Sequence, residues 1–383
     1  MPIRVNPKLV TELERYGAED VQKCYHCGNC SAICAHSDPL YSFPRKPMRL
    51  LQMGLERRIL TSLDPWLCYY CGQCSTQCPR GAEPGATMMS LRRWLTGRYD
   101  FTGISRLFYK SWQAEVLAIV LLGLATAAGF LLFGMGHGDI RVYDGPQAFL
   151  GSSAIHVFDW TMAGVLSLLL LVNALRMWWY TLGSDAQLKV PLRTYLGKLH
   201  LIPLHFLSQR RYAHCEKKQP WAIHLALMAS YLTMLVLVMF FVRSLQGGPE
   251  INWAIHGFGY VASLGLLSGI VWFIRARMKA AEPHVQHSHE SDWIFLVMLL
   301  LVTLTGITQH VLHRLGLPLA ANVGYVVHLA LVVPMLVLEV PFSKWSHLAY
   351  RPLAMYLAEV RRDAIARRES RATAKTGMVP HAA

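Results

Sequence analysis

The chain has 383 residues, of which 53% are apolar and only 16% charged, a composition too apolar for an ordinary soluble protein of this length. Its 37 Lys and Arg outnumber 23 Asp and Glu, giving a formal charge of +14. The cations fall in alternate loops between long apolar runs, not on one continuous face, which excludes a nucleic-acid partner.

Residues 1–9 lack the apolar core of a secretory signal peptide. Residues 9–16 are predicted to form a short helix. The first cysteine motif follows, Cys24-Tyr-His-Cys27-Gly-Asn-Cys30-Ser-Ala-Ile-Cys34. A second helix is predicted beyond Pro44 and Pro47, where Met48, Leu51 and Leu55 recur at helical spacing. Asp64-Pro65-Trp66-Leu67 then leads into Cys68-Tyr-Tyr-Cys71-Gly-Gln-Cys74-Ser-Thr-Gln-Cys78-Pro79, and residues 88–95 form a further helix.

Both motifs read C-x2-C-x2-C-x3-C, and together they take eight of the nine cysteines. That spacing wraps three thiolates around one cubane and sends the fourth to a neighbouring one. Two [4Fe–4S] clusters with crossed ligand sets are expected: Cys24, Cys27, Cys30 and Cys78 for one, and Cys68, Cys71, Cys74 and Cys34 for the other. Structural zinc uses paired C-x2-C knuckles, a disulfide framework needs an oxidising compartment, and a c-type haem needs His where Gly28 and Gly72 stand. Ala35 stands where the first motif would carry the proline seen at Pro79. That proline shapes the turn and does not bind iron. A head with so small a core is expected to depend on its clusters, coupling metal binding to folding.

The two cubane motifs, the proline- and arginine-containing helix between them and Cys78-Pro79-Arg80-Gly81 resemble the C subunit of heterodisulfide reductase over residues 20–95. The resemblance implies an electron relay between partner subunits.

Six apolar segments are long enough to span a bilayer core: 114–136, 155–180, 220–242, 252–275, 292–313 and 322–343. Trp160, Trp178, Trp179, Trp221, Trp253 and Trp293 fall at their ends, as interfacial aromatics do. Loops rich in Lys and Arg alternate with loops holding Arg141, Arg243 or Arg314 alone. By the positive-inside rule, both termini and the cysteine-bearing head lie in the cytoplasm, and the body is a multi-pass protein of the inner membrane. The predicted fold is all-α, with a small ferredoxin-like two-cluster helical domain (1–111), a six-helix transmembrane bundle (112–350) and a basic tail (351–383). Residues 188–212 are amphipathic and read as an interfacial helix. Cys215 reads as a free cytoplasmic thiol, and His284, His287 and His289 as a solvated loop.

Ionisable residues within spans are candidate functional groups. His224 opens the third span, His256 the fourth, His310 and His313 end the fifth, and His328 and His347 belong to the sixth. Paired histidines from facing helices can hold a b-type haem. Span direction puts His224 and His347 at the cytoplasmic depth, and His328 at the outer depth with His256 and His310. Nineteen residues set His328 and His347 on different faces of a straight helix, so a kink is expected at Pro334 or Pro341.

The segment from His328 through Pro341 to Lys344 and His347 resembles the last span of the gamma subunit of respiratory nitrate reductase, a five-helix dihaem cytochrome b that reacts with quinol. The resemblance implies His224 and His347 as inner haem ligands and His328 as one outer ligand. Met234 stands where that family has its second outer histidine, and His256 is chosen over His310 in its place. A fusion of the two families resembles the C subunits of quinone-interacting membrane-bound oxidoreductase complexes. It implies menaquinone as the membrane substrate, two b haems, cytoplasmic flavin and iron–sulfur partner subunits, and adenylylsulfate reductase as donor or acceptor. His310 and His313 form the candidate quinone site. The alternatives are a quinone-linked subunit of heterodisulfide reductase type, and a non-catalytic membrane anchor or redox sensor, which would not need the intramembrane histidines.

Overall fold

The computed structural model describes residues 4–134, 152–185, 188–246 and 251–376. Arg141 lies outside these residues, as do the last residues of the expected first span and of the basic tail. Among the described residues the fold is all-α, with no strand. Six helices are long and apolar enough to cross a membrane: Trp112–Leu132, Val157–Gly183, Gln219–Phe241, Trp253–Lys279, Glu290–Arg314 and Pro318–Phe342.

Two compact units divide the chain, and they cut across the chain-order partition. The first comprises Met1–Gly103, Val172–Lys218 and His347–Ala383, and the second Ile104–Leu171 and Gln219–Ser346.

The first unit has a larger core than residues 1–111 could supply, because distant segments bring aromatic rings to it. Trp66 precedes the second cysteine motif and packs on Tyr350 of the final helix at 5.1 Å between ring centroids. Tyr99, at the end of the Pro84–Tyr99 helix, lies 5.6 Å from Tyr350 and 6.1 Å from Tyr180. Trp66, Tyr99 and Tyr350 are all fully buried, and each such ring pair adds about 0.5–1.5 kcal/mol beyond its burial. Polar clamps hold the same segments. The Arg176 guanidinium donates to the Tyr99 carbonyl at 2.6 Å, and the Tyr41 hydroxyl to that of Ala358 at 3.1 Å. Arg362 pairs with Asp38 at 2.8 Å.

Residues 188–212 form two short helices instead of one, Leu192–Lys198 and Leu201–Ser208. One side lies on the final helix, where the Tyr356 hydroxyl donates to the Tyr195 carbonyl at 3.0 Å. The other leaves Leu192, Leu196, Leu199 and Leu207 exposed, an apolar stripe of the kind that rests on a bilayer.

In the second unit the third span packs on the fourth, the fourth on the fifth, the fifth on the sixth and the sixth on the first. Without a hydrophobic force between helices in lipid, small residues are what let backbones approach. At Gly123 of the first span, a Cβ would stand 2.7 Å from the Ala330 carbonyl oxygen of the sixth. The sixth span is broken, as its prolines require. After Pro334 the helix widens into a π-turn at Met335–Glu339, then passes through Val340–Phe342 and a 3-10 turn, Lys344–Ser346. Proline withholds a backbone donor, and the π-turn accommodates the loss. His289 serves as the N-cap of the fifth span, its Nδ1 accepting from the Ser291 N–H at 3.2 Å.

Gly123→Ala is expected to push the first span off the sixth and to lower stability by about 1–3 kcal/mol. Thermal melting in detergent measures this, and an unchanged midpoint would mean that the two backbones do not approach so closely.

Candidate iron–sulfur centre and intramembrane histidines

The two cysteine motifs fold into the same backbone shape. His26 and Tyr70, each two residues after the first cysteine, have φ of 64° and 54°, and Gly28 and Gly72 have φ of 89° and 83°. Glycine fills the second position because that left-handed conformation is strained for a side chain. Each glycine then starts a single helical turn, Asn29–Ala32 or Gln73–Thr76, which carries the third cysteine. The Asn29 side chain ties the turns together by donating to the Gln77 carbonyl at 2.7 Å.

This pairing brings Cys24, Cys27, Cys30 and Cys78 onto the wall of one cavity, with Arg45 and Met48 beside them. Cys34 lies within electrostatic reach of Cys68 and Cys71, and Cys74 of all three. Among the described residues no three His, Cys, Asp or Glu side chains close on a single point, as they would around one metal ion. The four cysteines lining one cavity are the donor set that a [4Fe–4S] cubane takes. Burial first, and then the neighbouring Cys24 and Cys27, push the Cys30 thiol up to about 11. Burial likewise raises Cys74. Iron binding must displace these protons, so loading is expected to weaken in acid.

Cations surround the start of the second motif. Arg92 is buried, and its guanidinium donates to the carbonyls of Cys68 and, at 2.6 Å, Pro65. Burial, with help from Arg351, lowers its pKa to about 9. Arg351 donates to the same Cys68 carbonyl at 3.1 Å and lies over the Tyr69 ring at 3.8 Å. Tyr69 stacks in turn on Tyr212 at 5.2 Å.

Cys215 is not a free surface thiol: it is buried, with its Sγ 3.6 Å from His36 Nε2. Its thiol also hydrogen-bonds Cys71, which holds the Cys71 thiol down at about 6 and pushes Cys215 up. Nothing in the sequence pointed to it, because Cys215 belongs to no motif and stands far from Cys71 along the chain.

In the second unit the histidines fall into separate settings. His328 Nδ1 faces the Thr305 hydroxyl at 3.0 Å. That hydroxyl donates to the Leu301 carbonyl at 2.7 Å, an arrangement that lets it accept from an Nδ1–H of His328 and leave Nε2 for a metal. The ring packs over Gly306, where a Cβ would lie 3.1 Å from His328 Cε1. His256 is buried, with Nδ1 3.0 Å from the Asn252 carbonyl and Nε2 2.6 Å from Arg314 Nη2. Both its ring nitrogens are therefore engaged, and haem ligation would cost the Arg314 bond. His310 lies 5.7 Å from the His256 ring and meets the Tyr260 hydroxyl at 3.1 Å. His224 packs edge-on against Phe273 in the third and fourth spans, while His347 begins the final helix of the first unit.

A cysteine-bearing domain with this repeat, in a chain with six membrane-length helices, defines a membrane-associated iron–sulfur electron-transfer protein. Residues 20–82 match the 4Fe-4S dicluster domain. The chain is also similar to the iron-sulfur C subunit of the CoB–CoM heterodisulfide reductase of Methanopyrus kandleri, with 33% identity over 87 residues, 21% of this chain and 45% of that protein. The chain thus spans less than half the length of that curated relative. No solved structure matches.

Cys78→Ser is expected to damage the cluster held by Cys24, Cys27 and Cys30, read by electron paramagnetic resonance of the reduced protein. Loss confined to the signal of the other motif would overturn the crossed assignment. Cys215→Ala is expected to retain full iron content while altering the signal of the cluster held by Cys71. A loss of iron would instead make Cys215 a ligand.

Proposed function

We propose that the chain is a membrane electron-transfer subunit that links a quinone pool to soluble redox partners through two [4Fe–4S] clusters and b-type haem. The observation that carries this reading is the cysteine cavity of a dicluster domain on the same chain as six apolar spans that carry histidines. The cofactors supply one-electron chemistry, while the protein positions them and sets their potentials. Cys24, Cys27, Cys30 and Cys78 would hold one cluster, and Cys68, Cys71, Cys74 and Cys34 the other. The fixed cations Arg92 and Arg351 would favour the reduced state of the second cluster by stabilising added negative charge.

His224 and His347 are the proposed inner haem ligands and His328 an outer one, on the sequence resemblance to quinol-reactive cytochromes b. The Thr305 hydroxyl beside His328 Nδ1 supports a ligating role for its Nε2. For the second outer ligand the reading keeps His256, released from Arg314, with His310 beside it. His310, His313, Arg314 and Tyr260 gather where the fourth and fifth spans meet, a set able to hydrogen-bond a quinone headgroup and exchange its protons. The quinone is menaquinone by the same resemblance. The alternating loop charges support a cytoplasmic side for the cysteine domain and both termini, in the inner membrane. The implied partners are flavin and iron–sulfur subunits of one complex, and adenylylsulfate reductase.

The test is a haem and iron count on the protein purified from membranes with its cofactors, followed by reduction with a quinol analogue. Two haems, about ten irons in all (eight in two cubanes and two in the haems) and quinol-driven haem reduction are expected. Iron without haem would refute the quinone-linked relay in favour of an anchor or redox sensor. His224→Ala and His347→Ala are each expected to remove the same haem band. His313→Ala is expected to slow quinol-driven reduction roughly a hundredfold with haem spectra intact. Normal kinetics would remove His313 from the quinone site.

A further inference from the structure

Two buried acids in the second unit take no part in the proposed relay. Glu115 lies in the first turn of the first span, and Glu339 ends the π-turn of the sixth. Both carboxyls are fully buried, as is the nearby Ser343. The Ser343 hydroxyl donates to Glu115 Oε1. Glu115 Oε2 and both Glu339 oxygens find no donor at hydrogen-bonding geometry, although the two carboxyls stand within hydrogen-bonding reach of each other. The Lys344 backbone lies close to Glu339. The charged groups facing the pair are Asp292 of the fifth span and Lys344, and these form an ion pair with one another. Lys344 is thus engaged with Asp292.

Buried polar atoms in native proteins find partners, and each one left without a partner calls for an explanation. Here three acceptor oxygens meet and a donor is missing. Two ionised carboxylates side by side, shut away from water, repel each other strongly. One added proton resolves both problems, because it removes one charge and supplies an O–H that bridges the two carboxyls. The geometry points to a membrane-embedded proton site in which Glu115 and Glu339 share one proton, with Ser343 fixing the orientation of Glu115. The π-turn matters here, because its wider ring sets Glu339 toward the first span after the helix has been broken at Pro334. Such a pair takes up a proton when one is offered and releases it when the local negative charge falls. It is therefore suited to moving a proton in step with electron transfer. The site stands whether or not haem or quinone is bound, since it rests on the carboxyls alone.

The test uses the full-length protein in membranes and two readouts that do not depend on electron-transfer activity. Dicyclohexylcarbodiimide, an apolar reagent for protonated carboxylic acids, is expected to label the peptide carrying Glu339 or Glu115 at neutral pH. Labelling is expected to be lost in the Glu115→Gln, Glu339→Gln double variant and to decline in alkali. Hydrogen–deuterium difference infrared spectroscopy is expected to reveal a protonated-carboxyl carbonyl band in the wild type that the double variant lacks. Either readout positive in the wild type and absent in the double variant supports the site. Absence of both the adduct and the band in the wild type would overturn it, and so would a band that persists unchanged in the double variant. If the double variant does not fold, site-mapped labelling of the wild type alone decides: adducts at neither glutamate reject the shared proton.

Discussion

Gathering eight thiols from two short loops is the constraint on which the cysteine-bearing part of the molecule depends. Each motif meets it with two left-handed residues, at His26 and Gly28 or at Tyr70 and Gly72, which turn the backbone so that three cysteines of one loop share a direction. A single motif has no wall opposite its cysteines. The Asn29–Gln77 bond sets the second loop against the first, and Cys78 arrives on the cavity lined by Cys24, Cys27 and Cys30. Thiols brought this close raise one another's proton affinity, as burial does. The arrangement is more at ease with iron in place of those protons.

That loop pair is supported by chain that comes from far away. Arg351 of the final helix and Arg92 hold the Cys68 carbonyl, Tyr350 packs on Trp66, and Cys215 closes on Cys71 from the loop before the third span. The domain's core therefore consists in part of segments that flank the membrane spans. Cluster binding is not its only source of order, because fully buried Trp66, Tyr99 and Tyr350 supply apolar contact whether or not metal is present.

Within the spans the governing rule is that polar groups must find partners where water is absent. His328 finds Thr305, His256 finds Asn252 and Arg314, and His310 finds Tyr260. Asp292 finds Lys344. Glu115 and Glu339 stand apart: Ser343 donates to one Glu115 oxygen, while the other and both Glu339 oxygens have no donor.

What the sequence by itself determined was whatever depends on local spacing or local hydropathy. Cysteine spacing is set by the reach of a few residues, so the dicluster domain was legible in two short motifs. An apolar run of about twenty residues has one stable form in lipid, so all six spans could be read within a few residues at most ends. The break after Pro334 was legible too, because proline cannot complete the helical ladder. The tertiary structure alone decided what meets across long separations. Cys215 lay outside any motif and looked like a free thiol until folding set it against Cys71 and His36. Arg351 looked like one cation in a basic tail until it reached Cys68. His256 looked like a free ligand until Arg314 took its Nε2. Glu115 and Glu339 were single acids at the ends of different spans, and only the packing of the first span on the sixth made them neighbours. A side chain's partner is set by the path of the chain between them, and no periodicity or spacing within either segment records that path.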